Sequence, residues 1–373
     1  SIPGVGSGLG VAGNINNIPM FGEETTTDLY ALTIPIGDVK GSIIGVTDIP
    51  LWPKTLIFDI LYGEFNKYNQ RSYLDRTMKS KKDDFINLEL DKTNFSGGRF
   101  IFSLFDRMFE LYRFQYNIKS NISAVRDNKG NLIYNLNQEF DVEAITYGSL
   151  IDYTDDRTDP LKGIRFNYNY GDSPQQDPDS PDYYVQEFNL SGYMPIKKSS
   201  IALNWYRAGA TVRKQGNTDL NSLIALETAR CYANCDSATI NSRAKNQQAL
   251  NRYGSAGGLG GPTRLRSFAQ NRYSGPQVAF RGIEYRWNFS DKETPIEYYI
   301  ISDTAINFQL AFFYEEGSIA DTANDLWNEM KSSTGLGFRI VTTSQFVYRI
   351  DFASGQEGNE FIFWFDYPWG AVQ

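Results

Sequence analysis

The sequence predicts an all-β fold, more specifically a transmembrane antiparallel β-barrel. First, many segments of about 8–12 residues alternate apolar and polar residues, which is the period of a strand with two different faces. Second, aromatic residues make up 15% of the 373 residues, with 24 Tyr and 25 Phe, and spanning barrels carry aromatic girdles at both membrane interfaces. Third, no apolar run reaches the ~18–20 residues of a transmembrane helix.

The alternation is clear in RGIEYRWNF at 281–289, where apolar residues share one parity and Glu284 and Arg286 share the other. Residues 164–170, 306–315 and 346–352 repeat this pattern. A soluble β-sandwich would also alternate, but it would bury aliphatic residues and expose the charged ones. Here one face is aromatic and the other combines opposite charges with Asn and Gln, which is typical of a barrel with a hydrated lumen. The soluble β-sandwich is the second interpretation.

These segments predict about sixteen strands, because a closed barrel pairs its edges and bacterial single-chain barrels have even strand numbers. Twelve and fourteen strands are the alternatives. The segment 297–316 is either one long strand or two, and the last segment, 359–367, places Phe361 to Tyr367 at alternate positions on one face. The predicted strands are residues 8–18, 27–36, 41–52, 55–67, 95–106, 110–125, 143–154, 163–171, 183–194, 200–212, 278–289, 297–316, 335–342, 346–353 and 359–367.

One segment, residues 213–277, interrupts the series of strands. Its stretch DLNSLIALETARCYANC at 219–235 predicts a short helix, because Asp219 or Asn221 can cap it and apolar residues follow at helical spacing. A connection of roughly 65 residues is too long for a turn, and connections of this length are usually functional or disordered. We therefore expect a single barrel domain, 1–373, in which 213–277 is a plug-like loop.

The composition argues against several classes of site. The chain has no histidine, which removes Ser-His-Asp and Cys-His nucleophilic sites and the usual zinc ligand. Cys231 and Cys235 are four residues apart, so they form a local disulfide in an oxidising compartment or remain two free thiols. The net charge of −8 argues against nucleic acid as a partner. We expect no enzymatic activity, no metal and no cofactor.

The stretch GGPTRLRSFAQNRYSG at 260–275 combines a Gly-Gly turn with an arginine and an aromatic residue. It resembles the sixth-loop motif of the BamA/TamA-like superfamily of outer-membrane barrels, the bacterial surface antigen family. The resemblance places Gly260 and Gly261 at the turn, Arg266 at the motif arginine and Phe268 at the motif aromatic residue.

Two stretches near the C-terminus also resemble this family. FFYEEGSIAD at 312–321 is similar to the family's aromatic–acid–x–Gly strand, with Glu315 at the acid position. GLGFRIVTTSQFVYRIDFA at 335–353 is similar to the family's penultimate hairpin. The matching residues of that hairpin are Arg339, Arg349 and Asp351.

A fourth stretch, TYGSLIDYTDDRTDPLKG at 146–163, is similar to the family's mid-barrel Asp-x-Arg hairpin, with Asp155 or Asp156 before Arg157. The chain also departs from the family pattern. Ser267 stands where the family has glycine after the motif arginine, and there is no room for the periplasmic POTRA repeats of the family's assembly and secretion members.

The resemblance implies a non-enzymatic barrel of the bacterial outer membrane, either a POTRA-less member or a barrel-only chain. The implied role is insertion or translocation of outer-membrane proteins, or organisation of the outer membrane without POTRA domains. The alternatives are a passive pore, a lipid-organising homo-oligomer and the barrel anchor of a longer chain. The candidate partners are outer-membrane lipids, unfolded outer-membrane proteins and a second copy in a homodimer.

In the family the sixth loop folds back into the lumen, and an arginine placed there needs a carboxylate because an unpaired buried charge is costly. Glu284 and Glu315 lie on the polar faces of their strands. We therefore expect Arg266 to pair with Glu315 and to have Glu284 nearby. Further expected partners in the lumen are Arg286, Arg349 and Asp351. A glycosidase pair of Glu284 and Glu315 is the enzymatic alternative, but ion pairing already accounts for both residues.

Overall fold

The computed structural model describes residues 8–20, 26–230, 236–290, 294–298, 301–342 and 347–369. Sixteen strands form one sheet, and every pair of neighbouring strands is antiparallel. The predicted all-β barrel with sixteen strands is therefore confirmed. Within the described ranges, no helix has the length and apolar character needed to cross a membrane.

The strands agree with the prediction in number and order. Their bounds, with those of two helices, are β1 (Gly8–Pro19), β2 (Thr26–Gly37), β3 (Lys40–Trp52), β4 (Leu56–Tyr73), β5 (Phe85–Leu104), β6 (Phe109–Arg126), β7 (Leu132–Thr154), β8 (Gly163–Ser173), β9 (Asp182–Ile196), β10 (Ser199–Lys214), α1 (Leu220–Ala229), α2 (Ser237–Tyr253), β11 (Gly258–Leu259), β12 (Tyr273–Ser274), β13 (Gln277–Asn288), β14 (Thr294–Tyr298), β15 (Ile301–Ala320), β16 (Lys331–Thr342), β17 (Val347–Gly355) and β18 (Gly358–Phe365).

The sheet follows the order of the chain. Strands β1 to β10 pair in sequence, and β13, β15, β16, β17 and β18 continue the ladder, while β11 and β12 form a separate two-stranded sheet. The predicted segment 297–316 covers parts of two strands, because β14 pairs with the first part of β15. Without β14, the continuous antiparallel ladder from β1 to β18 has fifteen strands. Because this number is odd, its first and last strands, β1 and β18, run in the same direction.

Strand β13 illustrates how the sheet separates its two faces. Glu284 and Arg286 are fully buried, whereas Ile283 and Trp287, which alternate with them, are 44% and 45% exposed. In a soluble protein this order would be reversed, because charged residues are almost never fully buried unless they are paired. The sheet therefore encloses charged residues on an inner face and presents aliphatic and aromatic residues on an outer face, as membrane barrels do.

Because neighbouring strands are antiparallel, their connections alternate between the two ends of the barrel. We define the plug loop as residues 215–276, which connect β10 to β13. The connections 74–84, 321–330 and 356–357 lie at the same end, which we call the plug end. The connection 155–162 and the residues after β18 lie at the opposite end.

The plug loop contains two helices, of which only the first was predicted. The carboxylate of Asp219 accepts the Ser222 N–H over 3.0 Å and caps α1, as expected. Asp236 caps α2 in the same way, by accepting the Thr239 N–H over 3.0 Å. Helix α2 gave no apolar periodicity in the sequence because only Thr239, Ala244 and Asn251 are buried along its length.

Candidate functional site

A Gly-Gly turn positions the arginine motif of the plug loop. Gly260 and Gly261 have φ angles of 106° and 105°, which side-chain-bearing residues rarely adopt. A Cβ atom on Gly260 would also lie 2.0 Å from the carbonyl oxygen of Ala269. The Gly261 N–H donates to the Phe268 carbonyl over 2.9 Å and closes the turn. Both positions predicted as the turn therefore have a backbone conformation that requires glycine.

Arg266 is fully buried, and three carboxylates from three strands surround its guanidinium. Its Nε donates to Glu315 Oε1 over 2.8 Å, its Nη1 to Asp351 Oδ2 over 2.8 Å and its Nη2 to Glu284 Oε2 over 3.2 Å. The backbone N–H of Arg266 donates to Glu315 Oε2 over 2.9 Å. Every nitrogen of Arg266 therefore has a carboxylate acceptor, and one residue joins the plug loop to β13, β15 and β17.

Glu284 connects this arginine to two others on the barrel wall. Arg339 donates from both Nη atoms to the two oxygens of Glu284, each over 2.6 Å, and Arg286 Nε donates to Glu284 Oε1 over 2.9 Å. Arg349 Nη1 donates to Asp351 Oδ2 over 2.8 Å. Its Nη2 donates to the carbonyl of Pro262 in the plug loop, also over 2.8 Å. We call the whole set the arginine cluster: Arg266, Arg286, Arg339, Arg349, Glu284, Glu315 and Asp351.

The arginine cluster contains four guanidinium groups and three carboxylates, so its formal charge is +1. All seven residues are 0% exposed. Burial of so many charges is costly, and the cost is offset only where the geometry and the hydrogen bonds are good. Removing one partner from such a set costs ~3–5 kcal/mol, whereas replacing both partners with apolar residues can be neutral. The cluster is therefore better suited to hold the plug loop in one position than to stabilise the fold.

Aromatic rings cover the faces of the cluster. The guanidinium of Arg266 lies 3.4 Å from the ring centre of Phe313, close enough for a cation–π interaction. Phe268, the aromatic residue of the motif, does not contact this guanidinium in the same way. It is 1% exposed and packs edge-on against Tyr273, with the ring centres 5.5 Å apart. Phe268 therefore contributes to the apolar core of the plug loop.

Ser267, which departs from the family pattern, fits because of a glycine on β17. The Ser267 N–H donates to Ser333 Oγ over 3.0 Å. A Cβ atom added at Gly355 would lie 2.1 Å from Ser267 Oγ. The space that the Ser267 side chain needs is thus provided by Gly355 on the opposing strand.

The residues after β18 turn back into the barrel at the end opposite the plug. Asp366 has a φ angle of 61°, and Tyr367 and Trp369 beyond it are 9% and 2% exposed. The Tyr367 hydroxyl donates to Asp159 Oδ1 over 2.6 Å, and its ring lies 3.8 Å from the Arg286 guanidinium. The expectation that Tyr367 continues the outward face of Phe361 is therefore wrong, because the strand ends before it.

A second buried arginine, Arg272, was not predicted as a site residue. Its Nη2 donates to Glu357 Oε1 over 2.7 Å, and its Nη1 donates to Ser80 Oγ over 2.6 Å. Its guanidinium lies between the rings of Tyr73 and Tyr273, 4.4 and 4.5 Å from their centres. Arg272 thus joins the plug loop to the connections 74–84 and 356–357 at the plug end. The only sequence signal was its place in the same arginine-bearing stretch.

The arginine of the mid-barrel motif pairs with a residue outside the arginine cluster. Arg157 Nη2 donates to Glu110 Oε2 over 2.7 Å. Asp155 and Asp156 both accept backbone N–H groups of their own turn, so neither aspartate pairs with Arg157 there. The predicted pair Cys231 and Cys235 lies outside the described residues.

No family model and no curated protein matches the sequence. Among solved structures, the chain is similar to BamA from Haemophilus ducreyi lacking POTRA domains 1–3, with a TM-score of 0.50 and 12% identity over 98% of this chain and 69% of that chain. It is also similar to CdiB from Escherichia coli (TM-score 0.46, 9% identity, 97% of this chain and 60% of that chain) and to CdiB from Acinetobacter baumannii (TM-score 0.46, 11% identity, 95% and 57%). This chain therefore spans less than two thirds of each CdiB chain. At these identities the likeness concerns the fold, and the fold of this chain is that of a BamA-like outer-membrane β-barrel.

Proposed function

We propose that this chain is a plugged barrel of the bacterial outer membrane that takes part in the insertion or translocation of proteins. The observation that carries the proposal is Arg266, a fully buried residue of a long loop whose guanidinium binds carboxylates of three strands. A loop that only narrowed a pore would have no need for this arrangement. Insertion or translocation is the role that the BamA/TamA-like resemblance implies.

Three features support a closed resting state over a passive pore. The plug loop is joined to the strands by Arg266 and by the Pro262 carbonyl, and it is joined to neighbouring connections by Arg272. From the opposite end, Trp369 lies 5.8 Å from the Arg266 guanidinium. Residues from both ends of the barrel therefore meet at the arginine cluster, which supports a closed resting state.

Conductance across a planar bilayer tests whether the loop closes the barrel. We expect low conductance for the full chain and much higher conductance after deletion of 215–276. A matched control deletes 217–250 only, which retains the arginine motif. The two residues that this deletion would join lie next to each other, because the Gly216 N–H donates to the Asn251 carbonyl over 3.2 Å. Equal, high conductance of all three proteins would favour the passive pore.

Folding of a client tests the proposed activity separately. We expect vesicles that contain this protein to fold a urea-unfolded outer-membrane barrel faster than empty vesicles do. The control uses vesicles containing an unrelated closed barrel at equal protein density, because any barrel disturbs lipid packing. Equal rates in the two vesicle types would leave a plugged barrel without insertion activity and would favour the lipid-organising alternative. A second copy as partner is tested by crosslinking in the same vesicles.

A further inference from the structure

The outer face of the barrel carries a groove that the plugged-barrel proposal does not use. Its volume is about 610 Å³, which lies within the ~300–1,000 Å³ range of small-molecule sites. Its apolar side chains belong to β8, β9, β10, β13 and β15. These side chains are Ile164, Leu190, Leu203, Trp205, Ile283 and Tyr314.

A single glycine leaves a gap between the apolar side chains of the groove. Gly192 on β9 pairs with Ile164 on one side and with Leu203 on the other, and these two side chains are 57% and 41% exposed. The next residue, Tyr193, is buried on the inner face, so Gly192 belongs to the outer face. A Cβ atom at Gly192 would meet nothing within 4 Å. The missing side chain therefore leaves an open channel between two apolar walls.

The plug-end rim of the groove carries an excess of positive charge. Arg281 pairs across the strands with Trp205 and with Glu316, and its Nε donates to Glu316 Oε2 over 2.6 Å. The Arg281 side chain is still 60% exposed. One row nearer the plug end, Arg207 Nη2 donates to the neutral Gln277 Oε1 over 2.7 Å. Among the outward strand residues of this rim, two guanidinium groups and one carboxylate give a formal charge of +1. The Arg281 guanidinium also lies 5.0 Å from the ring centre of Trp327 in the connection 321–330.

The rim lies at the edge of the apolar outer band. Phe289, at the other end of this strand, is 46% exposed. The eight residue steps from Arg281 to Phe289, which lies one residue beyond β13, span about 26 Å along a strand. After strand tilt this length covers most of the ~25 Å apolar band of a membrane barrel. Trp205 and Tyr314, which flank the groove below the rim, are 49% and 46% exposed, as expected for residues at a membrane interface.

We propose that this groove is a binding site for one membrane lipid with an anionic phosphate headgroup. An acyl chain fills the channel over Gly192 between Ile164 and Leu203, and the phosphate contacts the exposed guanidinium of Arg281 with Arg207 beside it. The charge of the rim is complementary to a phosphate, and arginine forms strong charge-assisted hydrogen bonds with phosphate oxygens. A phospholipid combines a negatively charged headgroup, which fits the rim, with an acyl chain that can lie along the apolar groove.

Native mass spectrometry of the detergent-purified protein tests the proposal, with phosphatidylglycerol and zwitterionic phosphatidylcholine as probes. We expect one phosphatidylglycerol to stay bound in preference to phosphatidylcholine. Gly192→Leu fills the channel and should remove both adducts, and Gly192→Ala should weaken them. Arg281→Gln should weaken phosphatidylglycerol about fivefold, the effect of ~1 kcal/mol per arginine near an anionic headgroup, and should spare phosphatidylcholine.

Arg113→Gln is the matched control for charge, because Arg113 alternates with the buried Tyr112 on β6 and donates to the neutral Gln115. It should leave both adducts unchanged. The folding of Gly192→Leu is checked by the change in its gel mobility on heating. The proposal is overturned if the folded Gly192→Leu variant retains the phosphatidylglycerol adduct, or if Arg281→Gln and Arg113→Gln have equal effects. A stable dimer that crosslinks through Trp205 would also overturn it, since a second copy would then occupy the groove. None of these variants touches the plug loop, so the conductance tests are independent of this one.

Discussion

The plug loop carries two fully buried arginines, six residues apart, that are bound in different ways. Arg266 is bound by three carboxylates on strands, and all of these partners are fully buried. Arg272 is bound by Glu357 and Ser80, both in connections at the plug end, and the Glu357 side chain is 13% exposed. The first arginine therefore joins the loop to the barrel wall, whereas the second joins it to two connections at the plug end.

The two arginines differ in what their removal would leave in the structure. Without Arg266, three carboxylates would share three guanidinium groups in a site closed to water, and no solvent could replace the lost donors. Without Arg272, one partly exposed carboxylate would be hydrated, and Ser80 would lose a donor near the surface. Equal burial of two arginines therefore does not mean equal cost of removing them, because the exposure of the partners decides the cost.

The largest expected effect is that of Arg266→Ala. We expect the free energy of unfolding to fall by ~3–5 kcal/mol, because the change leaves buried carboxylates short of donors. The measurement is the urea midpoint of the heat-modifiable band in detergent micelles. The control is Lys119→Ala, which breaks a pair with Asp141 in which the two side chains are 62% and 53% exposed. That control should cost at most ~1 kcal/mol.

A double-mutant cycle shows whether charge balance is the cause. Arg266→Met lowers the formal charge of the cluster from +1 to 0, Glu315→Gln raises it to +2, and the double variant restores +1. We expect the two effects to be non-additive by ~0.5–3 kcal/mol, in the direction that makes the double variant less unstable than the sum. Strict additivity would mean that these residues act through packing alone.

The second effect is that of Arg272→Ala, for which we expect a loss of ~1.5–3 kcal/mol, the usual contribution of hydrogen bonds made by a charged group. The variant should be cleaved faster by added protease in the connection 74–84, because Arg272 holds Ser80 there. Arg266→Ala, compared at equal fraction folded, should be cleaved there less than Arg272→Ala. Equal cleavage of the two variants would contradict the conclusion that Arg266 joins the plug loop to the strands and Arg272 joins it to the connections.

The sequence predicted the strands best where they face the apolar band. β13 is predicted at 278–289 and observed at Gln277–Asn288, because its outer face is apolar from Ile283 to Trp287. β7 begins at Leu132, eleven residues before the predicted strand at 143–154. In the unpredicted part, Asp141 faces Lys119 with their charged atoms 2.9 Å apart. Backbone pairing continues there with polar side chains, so the apolar alternation that indicates a barrel strand is absent.

The contacts of the site also divide into those that local sequence predicted and those that it did not. The positions of Arg266, Glu315 and Glu284 followed from strand parity together with the resemblance, because both describe local sequence. The contacts of Arg272 with Glu357 and of Tyr367 with Asp159 join residues 85 and 208 positions apart. Such contacts depend on how the loop and the terminal residues fold into the barrel, and no local pattern carries that information.

A smaller effect tests the fit of Ser267 against the wall. Gly355→Ala should destabilise the protein by ~1–3 kcal/mol, the usual cost of overpacking, because the new Cβ would lie 2.1 Å from Ser267 Oγ. Adding Ser267→Gly removes that oxygen and should recover part of the loss, because the Ser332 carbonyl oxygen would still lie 2.9 Å from the new Cβ. The midpoint of urea unfolding for the single and double variants measures both changes. If the double variant were no more stable than Gly355→Ala, the strain would lie in the strand and not at the loop contact.

The smallest expected effect lies in helix α2, which precedes both arginines in the plug loop. Asp236→Ala removes the N-cap of α2 and should cost ~1 kcal/mol of local stability, seen as faster amide exchange in α2 with no change in global unfolding. The N–H groups of Thr239 and Ala238 hold the pKa of Asp236 below its usual value. A lowered pKa means that the cap contributes fully above pH ~4, the pKa of a free aspartate, and is lost as the pH falls through the folded-state pKa. The difference in α2 exchange between wild type and Asp236→Ala should therefore shrink in acid. A difference independent of pH would show that the carboxylate charge does not contribute. The control is Asp236→Asn, which keeps a capping oxygen, so its α2 amides should exchange nearly as slowly as those of the wild type.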